Sequence, residues 1–255
     1  INSEAQITLP NGTVVTLRQT GTVPWGEQVQ LEVVAIQHPG QTAPDPVNRA
    51  AFTLTFRVPG WASLGMTLET RNCEVDTSIW PNYLLEHSVS GTWRAGSVVE
   101  LTLPMPIRRL VCNPLVTNNN GCVALQRGPF IYCVEDADYE QFTVLQLALA
   151  HTADISARHD PQLLGGVTLL EAPQGSAVMS AFPIYNPDSV QELPCRDGDD
   201  LFPQFGFKGG NSPLTSEPLY VERNVDEWRV PFRAVPYFAW ANRNPGAMKV
   251  WIPLR

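Results

Sequence analysis

Apolar side chains recur at every second position in a series of short runs, and proline or glycine interrupts each run before it can lengthen. Residues 28–33 set Val29, Leu31 and Val33 on one face of an extended chain, and residues 51–58 do the same with Phe52, Leu54, Phe56 and Val58. Leu64, Met66 and Leu68 repeat the pattern after Pro59-Gly60, and Val99, Leu101 and Leu103 repeat it after Ala95-Gly96. A period of two marks strands with one face in a core and the other in water. Pro10-Asn11-Gly12, Pro39-Gly40, Asn113-Pro114 and Asn118-Asn119-Asn120-Gly121 supply the turns between runs. With 23 prolines, and only residues 139–150 open to a helical reading, the pattern predicts an all-β chain of two antiparallel β-sandwich, jelly-roll-like domains.

The pattern changes after the asparagine run. Upstream the alternation is regular; downstream, beyond a strand pair at 123–134, glycine and proline break the sequence repeatedly. The expected domains are therefore 1–121 and 122–255. Residues 196–218 read as a long exposed loop. Asp197, Asp199 and Asp200 within it lack the glycine and glutamate offsets of an EF-hand calcium loop.

Charge and composition exclude several functions. A net charge of −8, with Arg108-Arg109 as the one basic pair, does not suit a surface that tracks phosphates, so nucleic acid is not an expected partner. No run reaches the roughly 20 apolar residues of a membrane-spanning helix. The first residues show no charged-then-apolar leader, and the single sequon Asn11-Gly12-Thr13 leaves cytoplasmic and secreted settings both open. Homo-oligomerisation stays open as well.

Residue types that could carry chemistry are scattered. Cys73, Cys112, Cys122, Cys133 and Cys195 form no CxxC pair, and Cys122 and Cys133 fall in apolar runs, so reduced and mostly buried thiols are expected. His151 and His159 lie near Asp154 and Asp160 without the tight spacing of a ligand set. Acid/base catalysis by carboxyl groups needs members oriented at a substrate beside a nucleophile or metal. Glu27, Glu69 and Glu100 sit singly on strands, and Glu135, Asp136 and Asp138 follow a strand with no oriented nucleophile nearby. No catalytic residue and no metal ligand is therefore expected in the chain.

Aromatic residues offer the remaining signal. The closing stretch AVPYFAWANRNPGAMKVWIP sets Tyr237 and Trp240 beside Asn242 and Arg243, and Trp25 and Trp61 follow prolines near strand ends. These six residues are the candidates for a domain interface or a carbohydrate contact. The structural reading has Tyr237 and Trp240 filling a corner of the core, while Asn242 and Arg243 tie loops, with Arg243 reaching a carboxylate or a neighbouring domain. A free-standing carbohydrate-binding module would instead expose coplanar rings, and the seven tryptophans are numerous enough for that.

Five phrases, in order, carry a family resemblance: VPWGEQVQLEV, FTLTFRVPGWA, GTWRAGSVVELTLPMPIRRLV, GCVALQRGPFIYCVED and VPYFAWANRNPGAMKVWIP. Together they resemble the C-terminal half of glycoside hydrolase family 127, the β-L-arabinofuranosidases, with a looser match across 140–230. The resemblance implies two β-sandwiches that follow a catalytic (α/α)6 barrel. It also implies that the zinc, the cysteine nucleophile beside a second cysteine, and the acid/base glutamates belong to that barrel. No adjacent cysteines occur here, so none of those roles carries onto this chain. Two turns depart from the family pattern: Gly96-Ser97 stands where Gly-Asp is usual, and Asn72-Cys73 where Asn-Gly is usual. The implied function is the non-catalytic portion of an arabinofuranoside hydrolase, with the barrel as partner. The resemblance also suggests that the final strand, about 247–253, returns to the first sandwich.

Overall fold

The computed structural model describes residues 2–63, 65–79, 86–139, 143–180 and 227–255. Eight strands build the first unit: β1 (Ser3–Thr8), β2 (Val14–Gly21), β3 (Gln28–Gln37), β4 (Arg49–Arg57), β5 (Thr67–Arg71), β6 (Glu74–Ile79), β7 (Glu86–Arg94) and β8 (Ser97–Thr102). They form a five-stranded sheet in the order β1-β2-β3-β8-β5 and a three-stranded sheet in the order β4-β7-β6, with every pairing antiparallel. The two sheets enclose a core of Val15, Val33, Ile36, Val89, Trp93, Val99 and Leu101. Trp93 is fully buried, and its indole N–H donates to the Phe52 carbonyl at 2.8 Å, which satisfies the one polar atom that burial would otherwise penalise.

Two local features reshape the alternation read from the sequence. In β3 the pairing with β2 slips between Thr16↔Ala35 and Leu17↔Val33, so Val34 bulges and the inward positions move from Val33 to Ile36. In β7, Gly91 lies across from β6 where an added Cβ would sit 2.4 Å from the Glu74 carbonyl oxygen, so no larger residue fits without displacing backbone.

Nine strands build the second unit: β9 (Ile107–Leu110), β10 (Cys122–Arg127), β11 (Phe130–Glu135), β12 (Leu147–Leu149), β13 (Ser156–Asp160), β14 (Val167–Ser180), β15 (Glu227–Pro236), β16 (Met248–Lys249) and β17 (Ile252–Pro253). Their sheet runs β12-β14-β15-β11-β10-β17, with β13 on β14, β16 on β11 and β9 on β10. Its two ends meet, because Leu149 and Leu254 form a parallel bridge, the Arg255 N–H donates to Leu149 O, and the His151 N–H donates to Arg255 O. The sheet thus rolls over a core that includes Leu125, Tyr132, Leu147, Leu170, Phe232 and Ile252. A smaller cluster of Cys133, Val167, Leu169, Val235 and Ala239 packs outside it.

Several expectations change here. β9 pairs with β10, so residues 107–110 lie in the second sheet and the asparagine turn is part of a loop that joins two strands of that sheet, not the division between units. The final strands do not return to the first sandwich. β16 pairs with Val134 and Glu135 and β17 with Cys122 and Val123, so the last segment ties together hairpin ends that no longer pair with each other. Residues 144–146 form a 3-10 turn and 147–149 a strand, in place of the helical reading. Only Cys133 is buried among the four described cysteines; Cys73, Cys112 and Cys122 are half-buried and all four are unpaired. Their positions explain it: Cys73 sits between β5 and β6, Cys112 follows β9, and Cys122 opens β10. Cys195, Trp80, the loop at 196–218 and its three aspartates lie outside the described residues.

Candidate functional site

The closing aromatic stretch leaves β15 at Pro236 and turns sharply. Residues Tyr237–Ala239 form one 3-10 turn, closed by the Trp240 N–H donating to Tyr237 O at 3.1 Å. Ala241 then adopts a left-handed conformation with φ 63°, which costs an alanine roughly 1–2 kcal/mol. Its N–H donates to Glu135 Oε1 at 3.0 Å, and Asn242 Nδ2 donates to the carbonyls of Ala239 and Trp240. Glycine accepts that conformation freely, so Ala241→Gly is expected to raise stability by up to about 1 kcal/mol, after the entropy gained by the unfolded chain is deducted. Urea unfolding would show it as a higher midpoint; a lower midpoint would mean that the strain is absent.

Arg243 anchors the corner. Its guanidinium donates to Glu135 Oε2 through Nε at 3.0 Å and also through Nη2, and to both carboxylate oxygens of Asp138 at 2.7 Å. Glu135 and Asp138 are nearly inaccessible, with side-chain exposures of 6% and 2%. Hydrogen bonding to Asp138 raises the Arg243 pKa above its already high value, against the opposing effect of burial. The charges continue outward: Arg233 lies 3.3 Å from Asp138 and 3.5 Å from Glu171, and Arg158 pairs with Glu171 at 2.7 Å. Asp136 faces the opposite way. Its carboxylate accepts from the Val144 and Ala247 N–H groups and from the Thr143 hydroxyl, against Gly246, where a Cβ would meet Asp136 Cβ at 2.7 Å.

A cleft of about 320 Å³ lies here, lined by Glu135, Asp136, Trp240, Arg243, Asn244 and Gly246 among others. Its three carboxyl-bearing neighbours, Glu135, Asp136 and Asp138, all accept hydrogen bonds from within the protein. Internal hydrogen bonds thus engage all three carboxylates at the edge of the cleft. Among the described residues no group of three or more His, Cys, Asp or Glu could hold a metal ion. His159 instead packs against Trp25 and meets the Thr168 hydroxyl at 3.2 Å.

The six residues singled out in the sequence fall into two groups. Trp25 and Trp61 mark the seam between the units: the Trp25 ring lies 4.9 Å from Phe130 and 6.0 Å from Phe238, Arg127 donates to Trp25 O, and Arg108 donates to Trp61 O at 2.9 Å. Asn242 and Arg243 tie the corner loop, and Arg243 does reach carboxylates. Tyr237 and Trp240 do not fill a core. They stack on each other at 6.1 Å with 46% and 40% exposure, and Phe238 between them is 58% exposed, because the turn projects them away from the sheet. Arg108 and Arg109, the basic pair, each donate to main-chain carbonyls, Arg109 to those of His151 and Ala153. The residues that sequence reasoning missed as seam contacts are Arg127 and Phe130, which meet Trp25. No periodicity signals a contact that spans 102 residues of chain, as Arg127 to Trp25 does.

Comparisons with known proteins place the whole arrangement. Residues 1–105 match the family model described as the beta-L-arabinofuranosidase GH127 middle domain, and residues 107–253 match the glycoside hydrolase family 127 C-terminal domain. The chain is 27% identical over 243 residues to the non-reducing end beta-L-arabinofuranosidase of Bifidobacterium longum subsp. longum, covering 93% of this chain and 30% of that protein. A solved GH127 beta-L-arabinofuranosidase from Geobacillus stearothermophilus T6 superposes on 100% of this chain with TM-score 0.70 and 28% identity, over 33% of its own length. Another solved GH127 beta-arabinofuranosidase does so with TM-score 0.68 and 21% identity, a likeness of fold. The chain spans about a third of the length of these relatives. The two matched models meet at residue 106, where strand pairing also passes from the first sheets to the second, and on these matches of sequence and fold the chain belongs to glycoside hydrolase family 127, of which it carries the middle and C-terminal domains.

Proposed function

We propose that this chain is the non-catalytic β-sandwich portion of a glycoside hydrolase acting on L-arabinofuranosides, and that it stabilises and completes an N-terminal (α/α)6 barrel of the same protein. In this reading the barrel holds the nucleophile, the acid/base groups and a zinc ion, and the present chain supplies none of them. The observation that carries the proposal is the engagement of Glu135 and Asp138 by Arg243, which leaves the deepest acidic pair with no group directed at a substrate. The same engagement weighs against a carbohydrate-binding module, whose aromatic platform needs free polar groups converging on the sugar hydroxyls.

The test is turnover of an aryl β-L-arabinofuranoside. The purified chain is expected to show none above the uncatalysed rate, whereas the same chain joined to its N-terminal portion hydrolyses the substrate. Turnover by the chain alone would overturn the proposal. So would a glycan array on which the chain retained arabinan fragments as a dedicated binding module does.

A further inference from the structure

We infer that the aromatic corner Tyr237, Phe238 and Trp240 is the surface on which the N-terminal portion of the protein docks, and that this docking lies on the C-terminal domain beside its seam with the middle domain. The inference rests on the proposed function above and adds to it the place of contact.

Four observations converge. Among the described residues, four large aromatic side chains are exposed, and three of them lie within the four positions 237–240. Aromatic rings are the side chains most often found anchoring protein interfaces. The corner is also held rigid: the left-handed Ala241, the Glu135 carboxylate on its N–H, the two carbonyl contacts of Asn242 and the double clamp on Arg243 all fix the turn that carries the rings. A surface ordered in advance loses little conformational freedom when it is covered, which favours association. Next, the acidic groups beneath the rings are already satisfied internally, so the patch offers apolar area and little unpaired polarity, which suits a protein face better than a sugar.

The position of the patch identifies its occupant. Phe238 lies 5.2 Å from Phe130 and 6.0 Å from the half-buried Trp25 of the middle domain, so the exposed corner sits directly beside the seam between the two domains. A body seated there lies against the C-terminal domain at the edge of the middle domain. The matched domains are the middle and C-terminal ones, which places a further portion ahead of them, and about two-thirds of the Bifidobacterium relative lies outside the match. That N-terminal portion is the large body available in the same polypeptide.

Hydroxyl-radical footprinting of the longer protein, kept monomeric by dilution, tests the assignment without any substitution. Tyr237, Phe238 and Trp240 are expected to be modified as slowly as the buried Trp93, about tenfold slower than their 40–58% exposure in this chain implies. Rapid modification of all three rings in the monomer would overturn the inference. It would fall equally if protection appeared only at concentrations where the protein dimerises, which assigns the corner to a second copy. Protection that appeared only on adding an L-arabinofuranosyl oligosaccharide would assign it to sugar, and would also overturn it. None of these outcomes depends on whether the chain alone hydrolyses an arabinofuranoside, so the inference and the proposed function can fail separately.

Discussion

Arg243→Met is expected to destabilise the chain by about 3–5 kcal/mol, the range found when one partner of a buried ion pair is removed. Methionine keeps much of the volume, so the loss comes from charge. Glu135 and Asp138 remain at 6% and 2% exposure, and the guanidinium that donated to both is gone. Arg233, 3.3 Å from Asp138, compensates in part; among the described residues Glu135 keeps the Ala241 N–H. Adding Glu135→Gln to the variant should recover part of the loss, because a neutral amide is less costly to bury unpaired than a carboxylate. Urea unfolding of the three proteins measures both steps. A loss under about 1 kcal/mol for Arg243→Met would show that the clamp behaves as an exposed pair.

Alkaline pH should destabilise the protein through two buried acids, Cys133 and Tyr132, and the half-buried Tyr139. Burial pushes the Cys133 thiol from its ordinary 9.0 up to about 12, with the Glu135 charge adding to the rise, and burial also raises the Tyr132 and Tyr139 phenols from 10.0 to about 12. Folded, all three keep their protons up to about pH 12; unfolded, they lose them above pH 9 to 10. The native state therefore binds more protons across that window, and stability falls as pH rises. Their contribution is complete below pH 9 and is lost as pH climbs towards 12. Each raised pKa makes the folded state progressively less favourable across this window, and the three effects act in the same direction. Unfolding midpoints that stay level from pH 8 to pH 11 would contradict this, as would a Cys133 thiol that reacts in the native state at pH 8.

The legible part of the fold was the part with one wet face. In β4 the alternate residues Phe52, Leu54 and Phe56 pack on the core while Thr53 and Thr55 meet Ser90 and Ser88 at the surface, and period two records that division directly. β14 carries no such record. Val167, Thr168, Leu169 and Leu170 are all buried, because one set of side chains faces the rolled core and the other the cluster around Cys133, so alternation vanishes and the strand reads as an unpatterned run. The bulge at Val34 hid the second half of β3 in the same way, by shifting the phase. At the site, the sequence named Arg243 and the need for a carboxylate, but its partners lie 108 and 105 residues away, and only the tertiary fold brings them together.

The bridge between Leu149 and Leu254 also sets an order of events during synthesis. The first sandwich has all its described strands once Thr102 has emerged from the ribosome, since β1 to β8 pair only with one another. The second cannot close until Leu254 and Arg255 arrive, because its last ladder contacts belong to them. Until then Leu147 and Leu149, fully enclosed in the finished protein, border an unclosed sheet. The nascent chain therefore carries a folded domain next to an open one, and any delay before Leu254 prolongs the interval in which that open edge can pair with another molecule.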